Sequence, residues 1–241
     1  MTESLPSLVP PSKPLAPPDG PLSDTEVSSE MALRDAPSGV QSATQTRQGA
    51  TLEALLQPRI SLFWGAQAPT RSLLTAATTI AAGGLPVRLF DGGNSFDGYF
   101  VARLARQLAL APARPPAPPG RFPDPYDILD RMHLSRAFTC FQLAELIENA
   151  PAGPEPLFVL DLLATFYDES VPLRDSERLL ATTLTHLRRL AAVGPVVVGG
   201  REPQTLVKER WLLLDQLQAA ADAAWMLRPP PAEPVLQPRL F

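Results

Sequence analysis

The sequence predicts an α/β domain with a mostly parallel sheet, and three observations lead to this class. Short, continuously apolar runs alternate with longer segments of helical composition. Two of these runs end at glycine, at Gly65 and Gly199. Proline-rich stretches lie on both sides of this alternating region, at 1–50 and 229–241. Strands that are apolar on both faces are typical of parallel sheets covered by helices on each side.

The elements follow from hydrophobic spacing and from the positions of glycine and proline. In the first half we predict strands at 60–64, 87–90 and 132–135, and helices at 71–82, 96–110 and 139–149. A proline-rich insertion at 112–125 separates the second helix from the third strand. In the second half we predict strands at 157–163, 195–198 and 223–227, and helices at 175–192 and 204–221.

Composition limits the classes of function. The 241 residues carry 21 basic and 25 acidic side chains, a net charge of −4, which argues against broad, sequence-independent binding to duplex DNA. A single cysteine, Cys140, and two histidines predict no metal site and fit a reducing, cytoplasmic compartment. No apolar run approaches the roughly 20 residues that a membrane helix needs. The domain is predicted to span 51–228, with a disordered arm at 1–50 and an extended tail at 229–241.

The turn after the first strand occupies the frame of a phosphate-binding loop, G-x-x-x-x-G-K-[ST]. Gly65 and Ser72 fit two of its four specified positions, whereas Thr70 and Arg71 replace the second glycine and the lysine. Glycine lets backbone N–H groups wrap an anion, and lysine supplies a compact charge that arginine does not reproduce. The alternative interpretation is an ordinary turn between a strand and a helix.

The order of the segments resembles the RecA-like ATPase core, with its recombinase, KaiC-like and ImuA-like branches, over about residues 59–228. After the loop, the segments that carry the resemblance read VRLFDGGNSFDGYFVARLARQ, HLSRAFTCFQLAELI, LFVLDLLATF, VVVGGRE and ADAAWMLR. The resemblance implies a P-loop-type domain of three layers, with a parallel sheet between two layers of helices.

The same resemblance implies roles for several residues. If nucleotide binding is retained, Gly65, Arg71, Ser72 and Asp161 are expected to form the site, with Asp161 near the magnesium shell. The catalytic glutamate that the family carries near the end of the second strand is missing from the segment at 91–94. Because glycine, lysine and glutamate are lost together, we expect no catalytic residue and no cofactor, with ATP and magnesium as the alternative. Asp161 also has a plain interpretation as a buried strand-end cap.

Two further features bear on partners. The family presents its DNA-binding loops after the strands that precede Asp161 and Arg201, so Arg201, Lys208 and Arg210 are the candidate DNA contacts, although most such charges only face solvent. The chain ends QPRLF, which resembles the short peptide by which bacterial repair polymerases dock on the DNA sliding clamp. Clamp binding would use Gln237, Leu240 and Phe241; alternatively, the last two fold back onto the domain.

The leading hypothesis is a non-hydrolysing RecA-like accessory protein of bacterial DNA repair or translesion synthesis. It would act in the cytoplasm, at the nucleoid, and would link a repair polymerase or recombinase to the sliding clamp, touching DNA only indirectly and no membrane. One alternative is an active ATPase in which Arg71 replaces the lysine. The other is an oligomerisation scaffold, as a homo- or hetero-oligomer, with proline-rich arms that bind other proteins.

Overall fold

Six parallel strands form the centre of the protein in a computed structural model, which describes residues 52–110, 124–204 and 208–227. The strand order is β3-β2-β4-β5-β1-β6. The strands span β1 Ile60–Gly65, β2 Val87–Asp91, β3 Met132–Arg136, β4 Leu157–Leu160, β5 Val196–Arg201 and β6 Ala223–Met226. The predicted α/β class with a parallel sheet is confirmed, and every pairing between these strands is parallel.

Helices cover both faces of the sheet because successive strand side chains point to opposite sides. Val159 packs into the core on one face, and Phe158 and Leu160 pack into the core on the other. The helices α1, α2 and α3 cover the face of Phe158, and α4, α5 and α6 cover the face of Val159. They span α1 Thr70–Ala82, α2 Gly98–Leu110, α3 Pro125–Asp130, α4 Cys140–Asn149, α5 Leu173–Ala191 and α6 Trp211–Ala220.

The path of the chain explains this division of helices. From β1 through β2 to β3 the chain moves toward one edge of the sheet, and from β3 through β4 and β5 to β6 it moves toward the other. Crossovers between parallel strands are right-handed. When the chain reverses its direction across the sheet, its connecting helices therefore lie on the opposite face. The connections that leave the neighbouring strands β2 and β4 therefore diverge. Such divergence opens a crevice at the carboxyl ends of the strands, where α/β proteins place their sites.

Several boundaries differ from the sequence prediction. The strand predicted at 157–163 ends at Leu160, because Asp161 adopts a left-handed conformation and a 3-10 helix follows at Leu162–Ala164. The helix predicted at 204–221 begins only at Trp211. Helix α3 was not predicted, although Asp124 caps it and Pro125 occupies its first turn, a usual helix start. The arm at 1–50 and the tail at 229–241 lie outside the described residues.

Within the described residues, no helix is long and apolar enough to cross a membrane.

The central strand β4 should carry much of the stability of the fold. Phe158 is fully buried, so Phe158→Ala is expected to lower the free energy of unfolding by about 4 kcal/mol through lost burial and a new cavity. Phe141→Ala is the matched control, since 57% of that side chain is exposed, and it should cost less than about 1 kcal/mol. Urea denaturation of both variants checks this; equal losses would contradict the assigned core.

Candidate functional site

Four charged side chains lie along the carboxyl edge of the sheet. Following the strand order β3-β2-β4-β5, the strands end at or next to Arg136, Asp91, Asp161 and Arg201. We call these residues the four-charge row. Its two acids are at the central positions, on neighbouring strands, and its two arginines flank them. The side chains of both aspartates are fully buried.

The carboxylate of Asp91 is held by its own loop and by one arginine. Its Oδ1 accepts hydrogen bonds from the backbone N–H of Ser95 at 2.9 Å and from the Ser95 hydroxyl at 3.3 Å. Its Oδ2 accepts one from the backbone N–H of Phe96 at 3.1 Å and lies 3.3 Å from Nε of Arg136. Both oxygens of Asp91 therefore serve to shape the loop that follows β2.

Asp161 is paired with Arg201 from the neighbouring strand β5. Nε of Arg201 donates to Oδ2 of Asp161 at 2.6 Å, and its terminal Nη2 contacts the same oxygen. Asp161 has a positive φ of 51°, in the left-handed region that aspartate tolerates better than most residues. Burial raises the pKa of Asp161, while the hydrogen bond and charge of Arg201 oppose this rise and the nearby Asp91 adds to it. Arg201 thus provides the positive charge that stabilises the ionised form of this buried carboxyl group.

Glycine is required beside this pair. A Cβ on Gly93 would lie 2.7 Å from Oδ2 of Asp161, closer than real atoms approach, so the loop after β2 can pass the carboxylate only without a side chain. The DGGN segment at 91–94 therefore packs closely against Asp161 at the crevice.

The loop in the phosphate-binding frame is held by neighbouring strands. The carbonyl of Gly65 accepts a hydrogen bond from the N–H of Glu202 at 2.9 Å. A side chain on Gly65 would collide with the carbonyl of Leu227, which explains this glycine without any ligand. Helix α1 then starts at Thr70, whose hydroxyl bonds to that of Ser95 at 3.3 Å. The loop is therefore bonded to the segment after β5 and to the Asp91 loop.

The arginine in the lysine position points to a neighbouring helix. The guanidinium carbon of Arg71 lies 5.6 Å from the ring centre of Phe100 on α2, a cation–π contact. Ser72 is exposed on the first turn of α1. No hydrogen bond or ion pair described for Arg71 or Ser72 joins either residue to Asp161.

The candidate DNA contacts occupy different environments. Arg201 forms the ion pair described above, and Lys208 is exposed in the 3-10 helix Lys208–Arg210. Arg210 is only 4% exposed: its guanidinium donates to the carbonyls of Phe166 at 2.6 Å and Val171 at 2.7 Å. Arg210 therefore holds the loop after β4 in place. Of the three candidates, Lys208 is the one that is exposed and has no ion pair in the described part of the chain.

A cavity of about 240 Å³ separates the loops after β4 and β5. Its lining includes three acids, Asp168, Glu169 and Glu202, beside the engaged Arg201 and Arg210. The hydroxyl of Tyr167 donates to the carbonyl of Arg201 at 2.9 Å, and burial raises the pKa of this phenol, so it stays neutral. This acidic lining offers little attraction to a DNA phosphate.

Comparison with known protein families and with curated proteins finds no match for this sequence. The parallel α/β fold is compatible with a RecA-like core. The residues predicted for clamp binding, Gln237, Leu240 and Phe241, lie outside the described part of the chain.

Two contacts at these residues bear on whether the crevice could hold magnesium and ATP, while Oδ1 of Asp161 is buried without a hydrogen-bond partner. The acid expected beside magnesium, Asp161, is engaged by Arg201, and the cation expected at the phosphates, Arg71, lies over Phe100. Among the described residues, no group of three or more His, Cys, Asp or Glu side chains is placed to bind a metal ion.

Sequence reasoning missed that Arg136 and Arg201 pair with the two aspartates. A signal existed, because each arginine ends a strand of the sheet and the carboxyl ends of parallel strands meet at one edge. Using it would have required the strand order, which hydrophobic spacing does not supply. Thr139 caps the helix that follows HLSRAF, since its hydroxyl accepts a hydrogen bond from the N–H of Gln142 at 3.2 Å.

Removing Arg201 should destabilise the protein in a pH-dependent way. The pKa of Asp161 is already above its ordinary value, so the folded state binds this proton more readily and stability falls as pH rises through the folded pKa. Arg201→Ala should raise that pKa further and cost about 2 kcal/mol at pH 7, and less near pH 4.5 where more Asp161 is protonated.

Thermal or urea unfolding at both pH values measures this effect. Adding Asp161→Asn should remove the pH dependence of the loss, because the amide carries no charge. Arg103→Ala, on the exposed side of α2, is the control and should change little. A loss from Arg201→Ala that is the same at pH 4.5 and pH 7 would contradict the assigned role.

Proposed function

We propose that this chain is a non-hydrolysing RecA-like accessory protein of bacterial DNA repair or translesion synthesis that works through contacts with other proteins. Its tail recruits it to the sliding clamp, and its folded domain binds a repair polymerase or recombinase. The protein works in the cytoplasm, at the nucleoid, and reaches DNA through these partners.

The observation that carries the first part of this proposal is the Asp161–Arg201 pair. Phosphoryl transfer depends almost wholly on positioning and on cations at the phosphates. An arginine from β5 lies against one oxygen of the strand-end carboxylate and supplies positive charge there. The contact of Arg71 with Phe100 supports the same conclusion, because the loop after β1 then lacks a cation directed at a phosphate.

The recruitment part depends on the sequence of the tail. Gln237, Leu240 and Phe241 provide an amide and two apolar side chains in a proline-rich sequence. An extended peptide loses little entropy on binding, but one so short reaches only about micromolar affinity, near −8 kcal/mol. A second contact by the folded domain would supply the remaining affinity.

The proposal predicts that ATP turnover stays at background. We expect equal phosphate release from the wild type, from Arg71→Ala and from Asp161→Asn, because neither side chain serves phosphoryl transfer. Circular dichroism confirms that each variant is folded. Turnover that disappears in Arg71→Ala would instead establish the active ATPase, with arginine in the lysine position.

Clamp binding is tested separately with the full chain. Replacing Leu240 and Phe241 together by alanine should weaken binding to a purified bacterial sliding clamp at least about tenfold, or 1.4 kcal/mol, because both apolar anchors are lost. Arg239→Ala is the matched control within the same five residues and should bind as the wild type does. Unchanged affinity in the double variant, measured by calorimetry or surface plasmon resonance, would refute recruitment through the tail.

A further inference from the structure

Strand β3 forms one edge of the sheet among the described strands, and its hydrogen-bonding pattern shows which groups face outward. The N–H of Val87 in β2 donates to the carbonyl of Arg131 at 2.8 Å. The N–H of Ala137 donates to the carbonyl of Asp91 in β2 at 3.0 Å. Alternate residues of a strand direct their backbone groups to opposite sides. The odd-numbered residues of β3 therefore face β2, whereas Met132, Leu134 and Arg136 direct their N–H and carbonyl groups outward.

This edge lacks several of the features by which proteins prevent pairing, and its one arginine, Arg136, is already paired with Asp91. The five residues MHLSR contain no proline, no lysine and no bulge in their register with β2. Leu134, at the centre, is 38% exposed, and Phe138 just beyond the strand is 68% exposed. A regular edge with an apolar centre is a template for another strand.

We propose that β3 pairs antiparallel with β3 of a second copy, about a two-fold axis at Leu134, to give a continuous sheet across a homodimer. This dimer goes beyond the proposed function, because it forms at the β3 edge of the sheet and requires neither a nucleotide nor the clamp.

The choice of a second copy as the partner follows from the outward-facing residues. In an antiparallel pair, facing residues whose backbone groups point at one another exchange two hydrogen bonds, and these alternate with facing pairs that exchange none. With the axis at Leu134, that residue faces its own equivalent, and Met132 faces Arg136 of the second copy. All outward-facing groups of β3 are satisfied at once, so the edge is complementary to itself, as a two-fold interface requires.

Side chains and charges agree with this register. Leu134 is paired in β2 with Leu89, on the face covered by α1 to α3, where Met132 also packs. Two copies of Leu134, about 5.5 Å apart between Cα atoms, would extend this apolar core across the axis. Arg136 would lie opposite an uncharged methionine and is already paired with Asp91 in its own subunit, so no like charges meet.

The test places charges at the axis. Sedimentation analysis of the full chain should give twice the 26.0 kDa monomer mass for the wild type at concentrations up to about 100 µM. Leu134→Lys and Leu134→Glu should each weaken dimerisation at least about tenfold, because the new charge at position 134 would lie opposite the same charge in the second copy. Mixing the two variants in equal amounts should restore the dimer through the opposite charges.

The control is Leu212→Lys, a similarly exposed leucine on α6, which should leave the dimer intact. Circular dichroism establishes that the variants remain folded. A wild type that stays monomeric overturns the proposal, as do single variants that still dimerise. Single variants that are monomeric and fail to combine when mixed exclude this register and therefore also overturn it.

Discussion

Two aspartates buried side by side at the ends of neighbouring strands are the constraint on which the rest of the site depends. Strands β2 and β4 lie about 4.8 Å apart, so Asp91 and Asp161 repel one another across a region shielded from water. This repulsion is offset by an arginine on the outer side of each acid: Arg136 on β3 pairs with Asp91, and Arg201 on β5 pairs with Asp161. The sheet order thus brings opposite charges together by placing the ends of four adjacent strands in one row.

This neutralisation fixes the neighbouring loops. Because Asp91 accepts hydrogen bonds from Ser95 and Phe96, the chain folds back over the strand end. Ser95 in turn contacts Thr70, so the loop after β1 is tied to the same carboxylate. These internal bonds at the crevice are the physical basis for proposing a protein that acts through its surfaces.

The surfaces themselves differ in character. The cavity between the loops after β4 and β5 is lined by acids, which opposes contact with DNA phosphates. The edge at β3 is apolar at its centre, with Leu134 and Phe138 partly exposed, and favours association with protein. A homodimer through β3 would carry two tail sequences, and two linked tails would raise the effective affinity for a partner with more than one binding site.

The sequence by itself determined the class of the fold and most of its elements, because short continuous apolar runs that end at glycine, such as 195–198, are typical of buried strands between helices. It also identified Asp161 and Arg201 as notable residues, but as a metal neighbour and a DNA contact. Their pairing, and that of Asp91 with Arg136, was decided only by the tertiary structure. The reason is that the order of strands in a sheet depends on crossovers and packing between distant segments, while hydrophobic spacing reports only the local environment of each segment.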